Sequence, residues 1–275
     1  MTFINHGTIN SRTLDWMREG LVRHLAKLES VGFAGAARQS EIGLKEELSY
    51  HLFSRKRVSA ATLNGQKATE PAPMFVAALV QALKAKNRES ISDLDRQIKQ
   101  AVESLSDEER GANGQDFLSK TADEWLFSYA TLQLMKPDAR DDPVHYDGGA
   151  ALLLLAVTLY GHRTLTVFEQ KGTGKQQHTS LQVPGIVYLA SLCAAEHQVG
   201  HSGDDEDCLD VDGHRLKVVL LIRCGCFRKA RGTVNPGPTA VFQAVQKVVV
   251  KWQVESPLVL PTLSEMTAEA RAMPS

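Results

Sequence analysis

Residues 145–169 read HYDGGAALLLLAVTLYGHRTLTVFE, and the fold follows from two patterns inside them. The run AALLLLAVTLY (150–160) is short and β-rich and ends at a Tyr160-Gly161 turn, which predicts a strand. RTLTVFE, beginning at Arg163, is a second short β-rich run and predicts the next strand. Strands this short and this close together pair antiparallel.

The pattern extends in both directions. Upstream, WLFSYATLQLM (125–135) alternates loosely; downstream come HTSLQV (178–183), GIVYLAS (185–191) and RLKVVLLIRCGCF (215–227). Turn signals separate them at Gly172-Thr173-Gly174, at Pro184-Gly185 and across the polar stretch Gly200–Gly213. KVVVKWQV (247–254) reads as a last strand, and the tail beyond Pro261 as small, polar and mobile. The first half has a helical period. Leu14, Met17, Leu21, Leu25 and Leu28 fall on one face, with Thr13 as N-cap and Gly32 past the end. MFVAALVQALKAK after Pro73 predicts a buried helix, and Ser92–Leu105 another with Leu94, Ile98, Val102 and Leu105 on one side. The expected fold is α+β: an antiparallel sandwich or jelly roll over 125–254, a mainly helical N-terminal layer over 1–124, and a C-terminal tail over 255–275.

Composition narrows the function classes. The 275 residues are 43% hydrophobic and 23% charged, with a formal net charge of -1, as expected for a soluble intracellular protein of one or two domains. Ala150–Val157 is far short of the ~20 residues of a membrane-spanning helix, so no membrane role is expected. The N-terminal sequence has no secretory pattern. Cys193, Cys208, Cys224 and Cys226 are too few for a disulfide scaffold and read as reduced thiols. Near-neutral charge argues against generic nucleic-acid binding, so any such contact is local.

His145 and Asp147 lie at i and i+2, which on an extended strand places both side chains on one face, one nitrogen and one oxygen donor toward a single metal. His197 follows three further strands, enough for a jelly roll to bring the chain back beside its start. Two histidines and a carboxylate form the facial triad of non-haem Fe(II) oxygenases. Zinc favours a closed tetrahedral set, and the cysteines lack the paired spacing of a structural zinc site. Arg215, opening the strand that follows His197, and Arg223, on the same parity, are the candidate partners of an anionic cosubstrate.

The order His145-x-Asp147, His197, Arg215 resembles the 2-oxoglutarate- and Fe(II)-dependent dioxygenase superfamily over about residues 125–254, which implies a double-stranded β-helix (jelly-roll, cupin-like) core there. The phrase HYDGGAALLLLAVTLYGHRTLTV is most similar to protist and algal members of its TET/JBP nucleobase-oxygenase class. The resemblance implies an oxidoreductase that uses dioxygen and 2-oxoglutarate, or ascorbate as in an algal branch, to oxidise the methyl group of thymine or 5-methylcytosine in DNA, and hence a nuclear location. It makes His145, Asp147 and His197 the metal ligands and Arg215 or Arg223 the cosubstrate anchor. A flipped-out base needs a ring to stack on, for which Tyr146, Tyr129, Trp125 and Phe127 are candidates. Phosphate contacts would come from Ser54–Arg57, from Lys171–Lys175, or from Arg228, Lys229 and Arg231.

Other readings use the same residues. A peptidyl or small-molecule hydroxylase shares the fold and triad. A non-catalytic metal-binding β-helix module would use His145 and His197 alone, with His201 and His214 as a separate zinc or nickel site. Asp204, Asp205, Glu206 and Asp207 read as a solvated acidic loop that would repel phosphate; Val219 stands where a calcium loop would need its closing glutamate. Oligomeric state leaves no trace in the sequence.

Overall fold

The computed structural model describes residues 3–30, 46–51, 61–63, 66–68, 72–121, 125–127, 129–135, 137, 141–145, 153–171, 174–190, 196–200, 207–211, 214–223, 240–256 and 258–273. In chain order its elements are β1 (Phe3–Thr8), α1 (Ser11–Ser30), β2 (Glu46–His51), β3 (Ala61–Leu63), β4 (Gln66–Ala68), α2 (Met74–Lys86), α3 (Arg88–Glu103) and α4 (Asp107–Leu118). There follow β5 (Tyr129–Met135), β6 (Leu154–Tyr160), β7 (Arg163–Lys171), β8 (Gly174–Gln182), β9 (Ile186–Ala190), β10 (Glu196–Gly200), β11 (Leu209–Val211) and β12 (His214–Arg223), then α5 (Ala240–Glu255) and α6 (Leu263–Ala272).

β12 lies between β5 and β6 in a large antiparallel sheet ordered β1-β9-β6-β12-β5-β2-β3-β4. A smaller sheet, β10-β7-β8, faces it. Alternation divides the large sheet's side chains between two cores. Ala130, Leu132, Leu134, Leu155, Val157, Leu159, Val218, Leu220 and Ile222 pack against the helices. Met135, Leu154, Ala156, Tyr188, Val219 and Leu221 point the other way and meet Leu165, Val167 and Val199 of the small sheet. Two antiparallel sheets closed face to face, with helices behind one, make a double-stranded β-helix of the jelly-roll, cupin-like kind in an α+β chain. Gly185 (φ 83°) makes the turn into β9; its N–H bonds Thr158 O and its carbonyl accepts from Ile9 N, and a Cβ there would lie 3.1 Å from Ile9 O.

The helices form the expected layer, with differences at its ends. Leu14, Met17, Leu21 and Leu25 are buried along α1. Its N-cap is Asn10, whose Oδ1 accepts from the Thr13 amide and hydroxyl; Thr13 itself lies buried in the first turn. The N-terminal part also supplies strands: β1 pairs with β9, and β2 with β5. KVVVKWQV belongs to helix α5, which corrects the strand expectation. Val241, Val245, Val249 and Trp252 form one buried face against α3 and α4, and Trp252 Nε1 donates to Ser90. Burying that face outweighs the β preference of a valine run. The tail is not loose either. Thr262 and Glu265 cap α6 reciprocally, and Met266 is fully buried. Among the described residues no helix is long and apolar enough to cross a membrane.

Asn87, at the α2–α3 corner, ties the C-terminal segment down. Its Nδ2 donates to Leu83 O at 2.8 Å and to Val259 O at 3.0 Å, and its Oδ1 accepts from Val259 N at 2.8 Å. Asn87→Ala is expected to lower unfolding free energy by about 3 kcal/mol, near 1 kcal/mol for each bond, measured by urea denaturation. Glu265 reports on the same junction by pH. The Thr262 amide, then the Lys86 ammonium at 2.9 Å, hold its carboxyl far below the usual range, at about 2. A depressed carboxylate stabilises above its unfolded pKa and loses that contribution as pH falls toward 2. Thermal melts from pH 5 to pH 2 should therefore fall less steeply in Glu265→Gln than in the native protein.

Candidate functional site

His145 and His197 meet across the edge of the small sheet. Each amide donates to the other's carbonyl, at 2.9 and 2.8 Å, and Asp142 N extends the contact to Val199 O. Directly opposed residues point to one face, and the two imidazoles stand 4.3 Å apart between centroids with planes 51° apart. That face is the inner one, because His197 lies opposite Val167 and is 2% exposed. Two imidazoles binding one ion through ~2.1 Å bonds at neighbouring positions have centroids roughly 4.5–5 Å apart, so a small parting of the two rings would admit a shared metal. Pro143 O lies 2.7 Å from His145 Nδ1. A carbonyl only accepts, so Nδ1 carries the proton and Nε2 of the neutral ring is the lone-pair nitrogen a metal requires.

The rest of the set divides. Asp147 and Tyr146 lie outside the described residues, as do Arg228, Lys229, Arg231, His201, residues 54–57, Asp204, Asp205 and Glu206. Among the described residues no group of three His, Cys, Asp or Glu side chains is placed to hold a metal. Tyr129 is described as backbone, pairing with Arg223. The chain turns at Gly161 from β6 into β7, so Val167 and its partner His197 lie toward the Leu154 end of β6. Leu154 is opposite Arg223. Arg223 thus sits at the histidine end, half-buried, donating to Thr131 Oγ1 at 3.3 Å. Arg215 is at the other end of β12, exposed and opposite Asp210 of β11. The structure therefore brings His145 and His197 together, sets Arg223 at the same end of the sandwich, and places Arg215 at the other.

Trp125 and Phe127 are core side chains behind the large sheet and not a stacking platform. Trp125 Nε1 donates to Asp95, and its ring packs on Phe117. Lys175 pairs with Glu196 at 2.5 Å, on the small sheet's outer face. Asp207 anchors the end of the acidic stretch: its carboxylate takes Arg18 Nη2 at 2.5 Å and its carbonyl takes the Gly161 amide. Arg18 also lies 4.3 Å from the Tyr160 ring, whose hydroxyl burial pushes up in pKa. Cys208 is a free thiol, likewise raised by burial; the other three cysteines lie outside the described residues.

Sequence reasoning missed a polar interior. Thr131, Gln133, Thr158, Arg163, Gln182 and Lys217 are all buried on inner-face positions of the two sheets. The signal was present in RTLTV: Arg163 shares the parity of Leu165 and Val167, the apolar face. Burial lowers the Lys217 pKa, against a smaller opposing effect of Cys208.

Because main-chain bonds make the histidine bridge, its side chains are separable from the fold. His145→Ala and His197→Ala are expected to keep native circular dichroism while weakening Co(II) binding at least a hundredfold by calorimetry. Unaltered affinity in both would remove the histidines from any metal site.

No protein-family model matches the sequence, and no curated protein does. Partial likenesses to solved structures exist. An oxalate decarboxylase from Lactobacillus farciminis, in complex with formate, is 15% identical with a TM-score of 0.27, covering 36% of this chain and 25% of that one. The cupin domain of Drosophila melanogaster CENP-C is 11% identical with a TM-score of 0.25, covering 34% and 59%. Hazelnut (Corylus avellana) vicilin is 12% identical with a TM-score of 0.26, covering 35% and 24%. The chain thus spans under two thirds of each of these proteins, and the sheet topology assigns the double-stranded β-helix independently of them.

Proposed function

We propose that this chain is an Fe(II)- and 2-oxoglutarate-dependent dioxygenase, with His145, Asp147 and His197 as the metal ligands. The observation that carries the reading is the His145–His197 pair: two imidazoles on one inner face, held by reciprocal main-chain bonds close to the spacing a shared ion needs. Fe(II) bound there would couple the oxidative decarboxylation of a 2-oxo acid to oxidation of a C–H bond. The protein supplies orientation and shielding. Pro143 O fixes the tautomer and plane of His145. Burial of His197 beside Val167 and Val199 keeps bulk water from one side of the site. Arg223 is the β12 arginine at the same end and a candidate partner for a carboxylate.

The substrate reading rests on the likeness of residues 145–167 to nucleobase oxygenases: the methyl group of 5-methylcytosine or thymine in DNA, with a nuclear location following from it. Ascorbate in place of 2-oxoglutarate, a peptidyl or small-molecule substrate, and a non-catalytic metal-binding module are outcomes the experiments separate.

Anaerobic addition of Fe(II) and 2-oxoglutarate should produce the metal-to-ligand charge-transfer band in the native protein and not in Asp147→Ala. An undiminished band in the variant would remove Asp147 from the ligand set. Aerobic incubation with oligonucleotides containing 5-methylcytosine or thymine, followed by nucleoside mass analysis, should show added oxygen. Succinate formation with unaltered bases would instead favour a hydroxylase of another substrate, and absence of both band and succinate a binding module.

A further inference from the structure

Among the described residues Arg163 is a buried charge with no acidic partner. It begins β7 and is 3% exposed. Its Nη2 donates to the Tyr188 hydroxyl at 2.6 Å, its Nη1 reaches Gln133 Oε1 at 3.5 Å, and its guanidinium carbon lies 5.8 Å from the Tyr188 ring. Both partners are neutral, and Nε has none. A desolvated guanidinium held only by neutral groups is an unfavourable arrangement, which a buried anion relieves.

Two more orphaned atoms border the same place. Gln182, directly opposite Arg163 in the small sheet, is buried with Oε1 lacking a partner. Thr158, in the row Thr158–Val219–Gln133 across the large sheet, is buried with Oγ1 lacking one. Lys217 occupies the next inner position of β12, beside Met135. The described inner residues named here around Arg163 are thus neutral or cationic. Val167, four residues along β7 at about 13 Å, is the partner of His197, so this cluster lies on the same inner face, toward the Gly161 end of β7 from the histidines.

We propose that this cluster is an anion site, in which Arg163 takes the carboxylate of a small organic acid in place of either β12 arginine. The Nε–H and Nη2 edge presents a parallel pair of donors that matches a carboxylate. The Thr158 hydroxyl supplies a further donor, and so does the Gln182 amide turned about its terminal bond. This small donor set suits a planar monoanion better than a phosphate. Identifying the ligand as a 2-oxo acid rests on the proposed function; the carboxylate site does not.

Calorimetric titration with acetate, succinate, 2-oxoglutarate and phosphate at constant ionic strength, with and without one equivalent of Co(II), tests this. The native protein should bind succinate or 2-oxoglutarate, at least thirtyfold more weakly in Arg163→Gln, with partial recovery in Arg163→Lys. Tyr188→Phe, which keeps the ring, should weaken binding several-fold and serves if Arg163→Gln does not fold. Binding of acetate and succinate without 2-oxoglutarate would support the site while removing the dioxygenase reading. Three results would each overturn the proposal: no carboxylate bound by the native protein, so that an internal water satisfies the orphaned atoms; phosphate bound as tightly as succinate; or affinity that survives Arg163→Gln and falls in Arg223→Gln or Arg215→Gln.

Discussion

Strand β12 has no solvent face along its middle, and the rest of the molecule is arranged around that constraint. Val218, Leu220 and Ile222 belong to the helix-backed core, while Val219 and Leu221 belong to the interior between the sheets. A register slip of one residue would exchange the two sets and carry Lys217 into the helix layer. The same alternation fixes which polar residues are enclosed: Lys217 and Arg223 on β12, Gln133 and Thr131 on β5, Thr158 on β6. The barrel's chemistry is thus decided by parity, one residue in two along strands whose other residues are apolar.

The small sheet contributes its chemistry by a different device. His145, two residues after Pro143, is held by an isolated bridge in which it exchanges amide bonds with His197. A proline before the pair removes one donor and presents a carbonyl, which the His145 ring uses. Behind the sheet, Arg18 of α1 grips Leu159 O and Asp207 together, so the helical layer also determines where the acidic stretch between β10 and β12 ends.

The strands of the core were readable in the sequence, because short β-rich runs closed by turn signals have few other readings. Leu154–Tyr160 and RTLTVFE fall in the two sheets, and the i, i+2 relation of His145 and Asp147 marked the segment whose His145 the structure sets against His197. The failures have physical causes. In α5, three consecutive valines look extended, and the helical spacing of Val241, Val245, Val249 and Trp252 emerges only over a longer window. In the C-terminal segment, Thr262-x-x-Glu265 is a capping-box signature that a polar composition concealed. Arg215 and Arg223 share a parity, but pairing alone decides which end of a strand the site occupies. Arg163 was overlooked because a charged residue beside a turn is ordinarily solvated; here its own alternation turns it inward.

The order of pairing along the chain also bears on how such a molecule comes into being. Phe3 lies opposite Ala190 in the large sheet, and α3 completes its apolar contact with α5, beyond residue 240. Closing so wide a loop costs chain entropy before any contact compensates for it. During synthesis the first strand must wait, unpaired, until most of the barrel has left the ribosome. The early helices have to keep their apolar faces covered by one another, or by a chaperone, through that interval.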